Sequence, residues 1–315
     1  QRPVERLYRV GVLSKIRTGD ANTDAGCHIA AASGDDAFEG VDLERALTEV
    51  HRDLLTRAGS AATVDLLRTV VSSAYHASFA RDAGLVQRVL SPSADEESHG
   101  MEDARFTRFV DEDGTAEYRA TYTAYDGRRI APRLLTSSDL RVFRAHRLAG
   151  PSAQNKGMAL FPRQVHGQHL ALCRSDGEST SLASSADGYV WDPPVLLREP
   201  SAPWEMLQIG NCGPPIETDQ GWLVLTHGVG PMRVYAIGSL LLDLDDPARV
   251  LGYSRTPLLS PSPDEQDGYV PSVVYSCGAF LHDGLVWIPY GIDDCRIGVA
   301  YAPLGEVLAG MSSAA

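Results

Sequence analysis

The chain has no C-x-x-C pair and no even set of cysteines. Its five, Cys27, Cys173, Cys212, Cys277 and Cys295, are widely spaced. That pattern argues against a disulfide framework and against a zinc site, and reads as reduced thiols in a cytoplasmic protein. No apolar run reaches the ~18 residues of a membrane helix, and no charged-then-apolar leader follows Gln1, so neither a span nor a signal peptide is expected. Positive charge is scarce: 28 Lys and Arg stand against 41 Asp and Glu, a net charge of −13 over 315 residues. A surface of that sign repels phosphodiester backbones and anionic bilayers, which removes nucleic acid and membranes from the expected partners. The common catalytic signatures are missing as well, with no G-x-x-x-x-G-K-[ST], H-E-x-x-H, G-x-S-x-G or EF-hand loop. Gly210-Asn211-Cys212-Gly213 resembles a phosphate loop only superficially, because Pro214-Pro215 stands where the helix would begin. No metal or organic cofactor is called for.

What is present is ordinary globular composition, 43% hydrophobic and 22% charged, arranged in two textures. Residues 41–90 carry helical spacing: Leu43, Leu47, Val50 and Leu54 recur every three or four positions, as do Leu67, Val71 and Tyr75. Asp42 fits an N-cap, Gly59-Ser60 a break between two helices, and Ser91–Ser98 a polar linker. His51 and His76 fall inside these helices, where a packed or solvated histidine is the ordinary reading. After Gly100 the texture is short strands divided by turns. Phe106–Val110 and Tyr118–Tyr122 flank a turn at Gly114, and similar pairs flank Gly167, Gly221 and Gly284. The intervals of 53, 54 and 63 residues match a propeller, whose blades hold about four strands each.

The expected fold is therefore all-β, a five-bladed β-propeller with a helical insertion near the N-terminus. Residues 1–40 would supply N-terminal propeller strands, 41–98 the insertion and 99–315 the main body. The fifth blade would combine Leu7–Ile16 and Cys27–Ala31 with the strand around Ile297–Tyr301. Polar clusters recur at corresponding points of the blades: Glu102–Arg105, Asn155–Gly157, Gly210–Pro215, Thr226–Gly228 and Asp293–Arg296. Strand ends surround one funnel in a propeller, so these clusters would converge on a polyhydroxylated or anionic ligand.

At the same clusters the sequence resembles family 130 of the glycoside hydrolases, the β-mannoside phosphorylases and β-mannosidases. The resemblance rests on Gly100–Phe106 (GMEDARF), Asn155–Pro162 (NKGMALFP), Ile209–Ile216 (IGNCGPPI), Gly221–Val229, Leu241–Pro247 and Tyr290–Asp294. It implies a five-bladed propeller and an inverting single displacement on β-linked mannosides or related oligosaccharides. Phosphate would be co-substrate and mannose 1-phosphate the product. Asp103, in the E-D-x-R motif, is then the acid, acting through the mannosyl 3-hydroxyl. Lys156, His227 and Tyr235 line the phosphate side, and Asp294 and Asn211 hold the sugar. Arg105 would fix the Asp103 carboxyl. An arginine common in the family before its T-x-D segment is missing at Leu135–Asp139, with Arg128, Arg129 and Arg133 as substitutes. If the enzyme is a hydrolase, its base lies about 6.5–9.5 Å from the acid; Glu205 and Glu217 are the candidates, Glu217 the poorer because it flanks a turn. A non-catalytic glycan-binding propeller is the reading from another class. Tyr125, Trp204, Tyr269 and Tyr290 are candidate sugar platforms, and assembly with further copies of the chain is left open.

Overall fold

The computed structural model describes residues 74–314 except Asp267, together with Ser60, Ala61 and Val64. The described residues form a β-propeller arrangement of four blades. The first sheet runs β1 (Tyr75–Ser78), β5 (Val142–Arg147), β4 (Ile130–Ser137), β3 (Ala116–Tyr125), β2 (Met101–Val110) from one edge to the other. The second is β6 (Ala159–Leu160), β7 (His169–Cys173), β8 (Thr180–Ser185) and β9 (Val195–Arg198) in sequence order. In the third, β10 (Gln208–Asn211) and β11 (Ile216–Thr218) share one edge of β12 (Gly221–Val229), followed by β13 (Tyr235–Leu242) and β14 (Val250–Ser254). The fourth pairs β15 (Val274–Tyr275) and β16 (Phe280–His282) with one edge of β17 (Leu285–Ile292), and β18 (Arg296–Pro303) with the other. A short helix, α1 (Leu304–Ala309), then leads to β19 (Met311–Ser313), which returns to β14 on the outside of the third blade.

Strand periodicity explains the packing. Successive side chains of a strand point to opposite faces, so a central strand buried on both sides reads as a continuous apolar run. Every residue of β12 is buried. Two alternate sets part there: Trp222 and Val224 enter the core shared with Phe161, Leu172 and Leu182 of the second blade. Leu223 and Leu225 enter the core shared with Val286 and Ile288 of the fourth. The tight turns use left-handed backbone at Gly114 (φ 82°), Gly167 (φ 70°) and Gly284 (φ 75°), where an L side chain would be strained.

Three expectations are corrected. The described residues give four blades, not five, and the strand around Ile297–Tyr301 is β18, the partner of β17 in the fourth blade. The strands expected within 1–40 lie outside the described residues. The helical insertion does not extend to residue 98: Tyr75 and His76 belong to β1, and beyond them only 3-10 turns occur at Leu85–Gln87 and Asp95–Glu97. His76 pairs with Arg144 in that strand. Tyr75 matches a four-residue helical period and a two-residue strand period equally well, and pairing with β5 decides between them. Apart from the helical Ser60, Ala61 and Val64, the earlier part of the insertion, including His51, lies outside the described residues. Nor is Ser91–Ser98 a solvated linker throughout, because Glu97 is completely buried.

Candidate active site

Four strand ends meet at one mouth. Between Glu102 and Arg105 the register of β2 on β3 slips, leaving a bulge in which Asp103 takes φ 59°. Aspartate tolerates that left-handed conformation better than most residues, and such outliers concentrate at functional sites. The bulge turns the half-exposed Asp103 carboxyl beside Arg105, which is 1% exposed, with Nη2 3.4 Å from Asp103 Oδ2. Arg105 also donates from Nη1 to the Asp103 carbonyl (2.7 Å), from Nε to the Cys212 carbonyl (2.9 Å) and from Nη2 to the Tyr275 hydroxyl (2.7 Å). One guanidinium thereby joins the first, third and fourth blades. Burial works against its charge, but Tyr275 and Asp103 outweigh burial, so its affinity for the proton rises.

Tyr275 continues the network. Its ring lies 4.9 Å from that of His227, which in turn stacks on Tyr235 at 6.4 Å and 13°. His227 sits opposite Gly210 in the β10–β12 register, and a Cβ at Gly210 would stand 2.7 Å from His227 Cε1. Only glycine admits the imidazole there. Arg174, 6% exposed, approaches from the end of β7, with Nη1 3.3 Å from His227 Nε2. An arginine only donates, so Nε2 accepts and the ring proton belongs on Nδ1. Burial, then Arg174 and Arg105, hold the His227 pKa well below its ordinary value, so the ring is neutral at pH 7.

Lys156 borders the same mouth. Its Nζ lies 3.2 Å from Glu102 Oε1, beside Asp103 in sequence, and its charge is felt at His227. Asn211, 1% exposed, donates from Nδ2 to the Gly157 carbonyl (2.8 Å), while its Oδ1 has no partner. This bond ties the third blade to the Asn155–Gly157 turn of the second. The structure thus brings Asp103, Arg105, Lys156, Asn211, His227 and Tyr235 together.

Other candidates sit apart. Asp294 is exposed, with φ 54°, and no contact joins it to the cluster; its neighbour Asp293 is buried and accepts from the amides of Gly268 (3.3 Å) and Val273 (3.1 Å). Glu205 is fully buried and committed to Arg198, Ser201 and the Ala202 amide. Glu217 pairs with Arg163 and lies opposite Trp222 in the register, five residues along β12 from His227, or about 17 Å. Arg133 is buried against Glu97 at 2.7 Å, and Arg128 and Arg129 are exposed in the β3–β4 turn capped by Asp126. Among the aromatics, Trp204 packs over Gly228 and Gly238 and donates to the Arg255 carbonyl (3.0 Å), and Tyr290 bonds Glu265 (3.0 Å). Tyr125 meets His99 edge-on, and Tyr269 is 84% exposed.

Sequence reasoning missed Arg174, Tyr275 and Cys277, whose Sγ lies 3.8 Å from Asp103 Oδ1. The available signal for Arg174 was a cation closing the apolar strand Leu170–Cys173. Among the described residues no three His, Cys, Asp or Glu gather as a metal cage.

A carboxyl held by a buried arginine, beside a cationic and hydrogen-bonding wall, is a constellation suited to proton transfer next to an anionic group, the chemistry of an enzyme. Comparison with known proteins narrows the class. The family model of beta-1,4-mannooligosaccharide phosphorylase matches residues 81–313, and the chain belongs to that family, glycoside hydrolase family 130. It is 35% identical over 218 residues to a beta-1,2-mannobiose phosphorylase of a Thermoanaerobacter species, covering 67% of this chain and 70% of the relative. It is 33% identical over 227 residues to a 1,2-beta-oligomannan phosphorylase of that organism, covering 70% and 73%. Its fold is similar to that of the Listeria innocua beta-1,2-mannobiose phosphorylase solved with beta-1,2-mannobiose. There the TM-score is 0.60 and the identity 28%, over 70% of this chain and 62% of that one.

Proposed function

We propose that the protein cleaves β-mannosidic linkages by inverting phosphorolysis. The observation that carries this reading is the unbroken contact path Asp103–Arg105–Tyr275–His227–Arg174, which sets a proton donor beside an anion-binding wall. Phosphate attacks the anomeric carbon of the mannosyl unit from the face opposite the leaving oxygen. The glycosidic C–O bond breaks with its electron pair on the departing sugar oxygen, and the Asp103 proton neutralises that oxygen. The products are α-mannose 1-phosphate and a saccharide one residue shorter.

Each side chain has a part. Arg105 orients the Asp103 carboxyl. Arg174 and Lys156 supply positive charge for the phosphate, and a buried guanidinium suits a tetrahedral anion through its fork of donors. His227, neutral, contributes a hydrogen bond without a charge, and Tyr235 a hydroxyl. Asn211, buried with its Oδ1 unpartnered, is assigned to a sugar hydroxyl, and Asp294, apart from the cluster, receives no role. Arg174 fills the role for which Arg128, Arg129 and Arg133 were candidates. The hydrolytic alternative gains no support from the base candidates, since Glu205 is engaged on both oxygens and Glu217 is remote.

The test is incubation with β-1,2- and β-1,4-linked mannobioses, with and without phosphate, while mannose 1-phosphate and mannose are quantified. Phosphate-dependent mannose 1-phosphate is expected, first from the β-1,2 linkage for which the two relatives are named. Mannose release indifferent to phosphate would falsify phosphorolysis, and binding without any product would identify a glycan-binding propeller.

A further inference from the structure

The end of β15 is more closely involved with the acid than its sequence suggests. Tyr275 and Cys277 are two residues apart, and an extended chain returns alternate side chains to one side. Between them Ser276 turns away, its Oγ within 2.7 Å of both the Gly278 and Pro289 carbonyls, which pins the segment. On the other side, Tyr275 takes the Arg105 Nη2 hydrogen bond, and the Cys277 thiol donates to Asp103 Oδ1. One oxygen of the acid is thus held directly, and the other through Arg105. The same tyrosine ring abuts His227 on the anion side.

From this arrangement we infer that Tyr275 and Cys277 are positioning residues for Asp103, fixing its carboxyl rotamer and tying it to the anion-binding wall. The inference rests on the reading of Asp103 as proton donor. A thiol suits the position because it is a weak donor. An ammonium or a second guanidinium at that place would hold the carboxyl ionised, whereas an acid has to take up a proton and release it in every turnover. Burial, and the Asp103 charge against the opposing pull of Arg105, lift the Cys277 thiol to about 11. The thiol therefore stays protonated as a donor throughout the neutral range.

Two measurements test the clamp. In the first, the pH dependence of iodoacetamide alkylation at Cys277 is followed by peptide mass spectrometry in the wild-type protein and in Asp103→Asn. The midpoint is expected to fall in the variant, because the carboxylate charge that opposes the thiolate is removed while the amide oxygen can still accept the S–H; an unchanged midpoint overturns the contact. In the second, pH profiles of kcat for phosphorolysis are compared among wild type, Tyr275→Phe, Cys277→Ala and Cys277→Ser. Loss of positioning is expected to cost about 10–100-fold in kcat in the first two variants, with KM within twofold. Their alkaline limb should move to higher pH, since the ionised carboxyl has lost support, and serine should restore most of the rate. Profiles that superimpose after scaling overturn the positioning role. Should the wild type turn over no β-mannoside, the functional reading fails by itself, and the alkylation measurement still decides the clamp.

Discussion

Two buried arginines of the first blade each meet a carboxylate, and the two pairs behave differently. Arg133 and Glu97 are both fully buried and 2.7 Å apart. Glu97 also accepts from the hydroxyls of Tyr122 and Tyr75 and from the amides of Ser93 and Ala94. Burial and the Glu97 charge lift Tyr75 to about 12, so its hydroxyl remains a donor. Every lone pair of that carboxylate is occupied. Arg105 and Asp103 stand 3.4 Å apart, and the carboxyl is left partly open at the mouth. A saturated carboxylate fixes structure, because nothing else can approach it. A loosely held one, backed by an arginine that is itself bound on three sides, can exchange a proton. Glu205 belongs to the saturated kind, which is why burial alone does not mark a catalytic carboxyl.

Breaking the two pairs should separate activity from stability. The largest effect is expected from Asp103→Asn, which keeps the shape and tolerates the left-handed backbone. Turnover of a β-mannobiose should fall by roughly 10²–10⁴-fold, with the melting temperature within a few degrees of wild type. A variant retaining its rate would remove Asp103 from the mechanism. Arg174→Ala should reduce phosphorolysis about 10²-fold, chiefly through phosphate; initial rates across phosphate concentrations decide this, and an unchanged phosphate KM and kcat would count against the anion wall. Glu97→Ala strands a buried guanidinium and should destabilise the protein by about 3–5 kcal/mol, measured by urea unfolding. Glu217→Ala, an exposed pair with Arg163, should cost about 0–1 kcal/mol by the same measurement.

Acid sensitivity sharpens the contrast from a third place. His146 is buried between blades, and burial followed by Arg133 lowers it to about 3. The unfolded chain binds that proton near 6.5, the folded chain only near 3, so the contribution is complete above pH 6.5 and is lost as pH falls through that window. The loss is about 1.4 kcal/mol per pH unit. Melting temperature should drop between pH 7 and 5, and less steeply in His146→Gln. An equal slope in the variant would assign the sensitivity elsewhere, His227, His169 and His76 being further histidines lowered first by burial.

Much of the propeller was legible because turn chemistry is local. Gly114, Gly167 and Gly284 mark left-handed turns without reference to anything distant, and the hairpins followed from them. The site motifs Glu102–Arg105 and Asn155–Gly157 were legible for the same reason: the left-handed backbone at Asp103, Asn155 and Gly157 is written into short runs of polar and small residues. Tyr75 was misread because four residues of strand fit a helical period. Glu97 was misread because a run of Ser, Asp and Glu looks solvated until a buried arginine from β4 is placed beside one member.

By itself the sequence determined the regularly spaced β-hairpins after residue 100, the acidic net charge, the polar clusters and the family to which they belong. Tertiary structure alone decided which charged residues share a site. Lys156, Arg174, His227 and Tyr275 come from three blades, and their grouping with Asp103 depends on how inner strands converge around an axis. Spacing along a chain carries no record of that convergence, because the distance between two side chains on different blades is set by sheet packing and not by the number of residues between them.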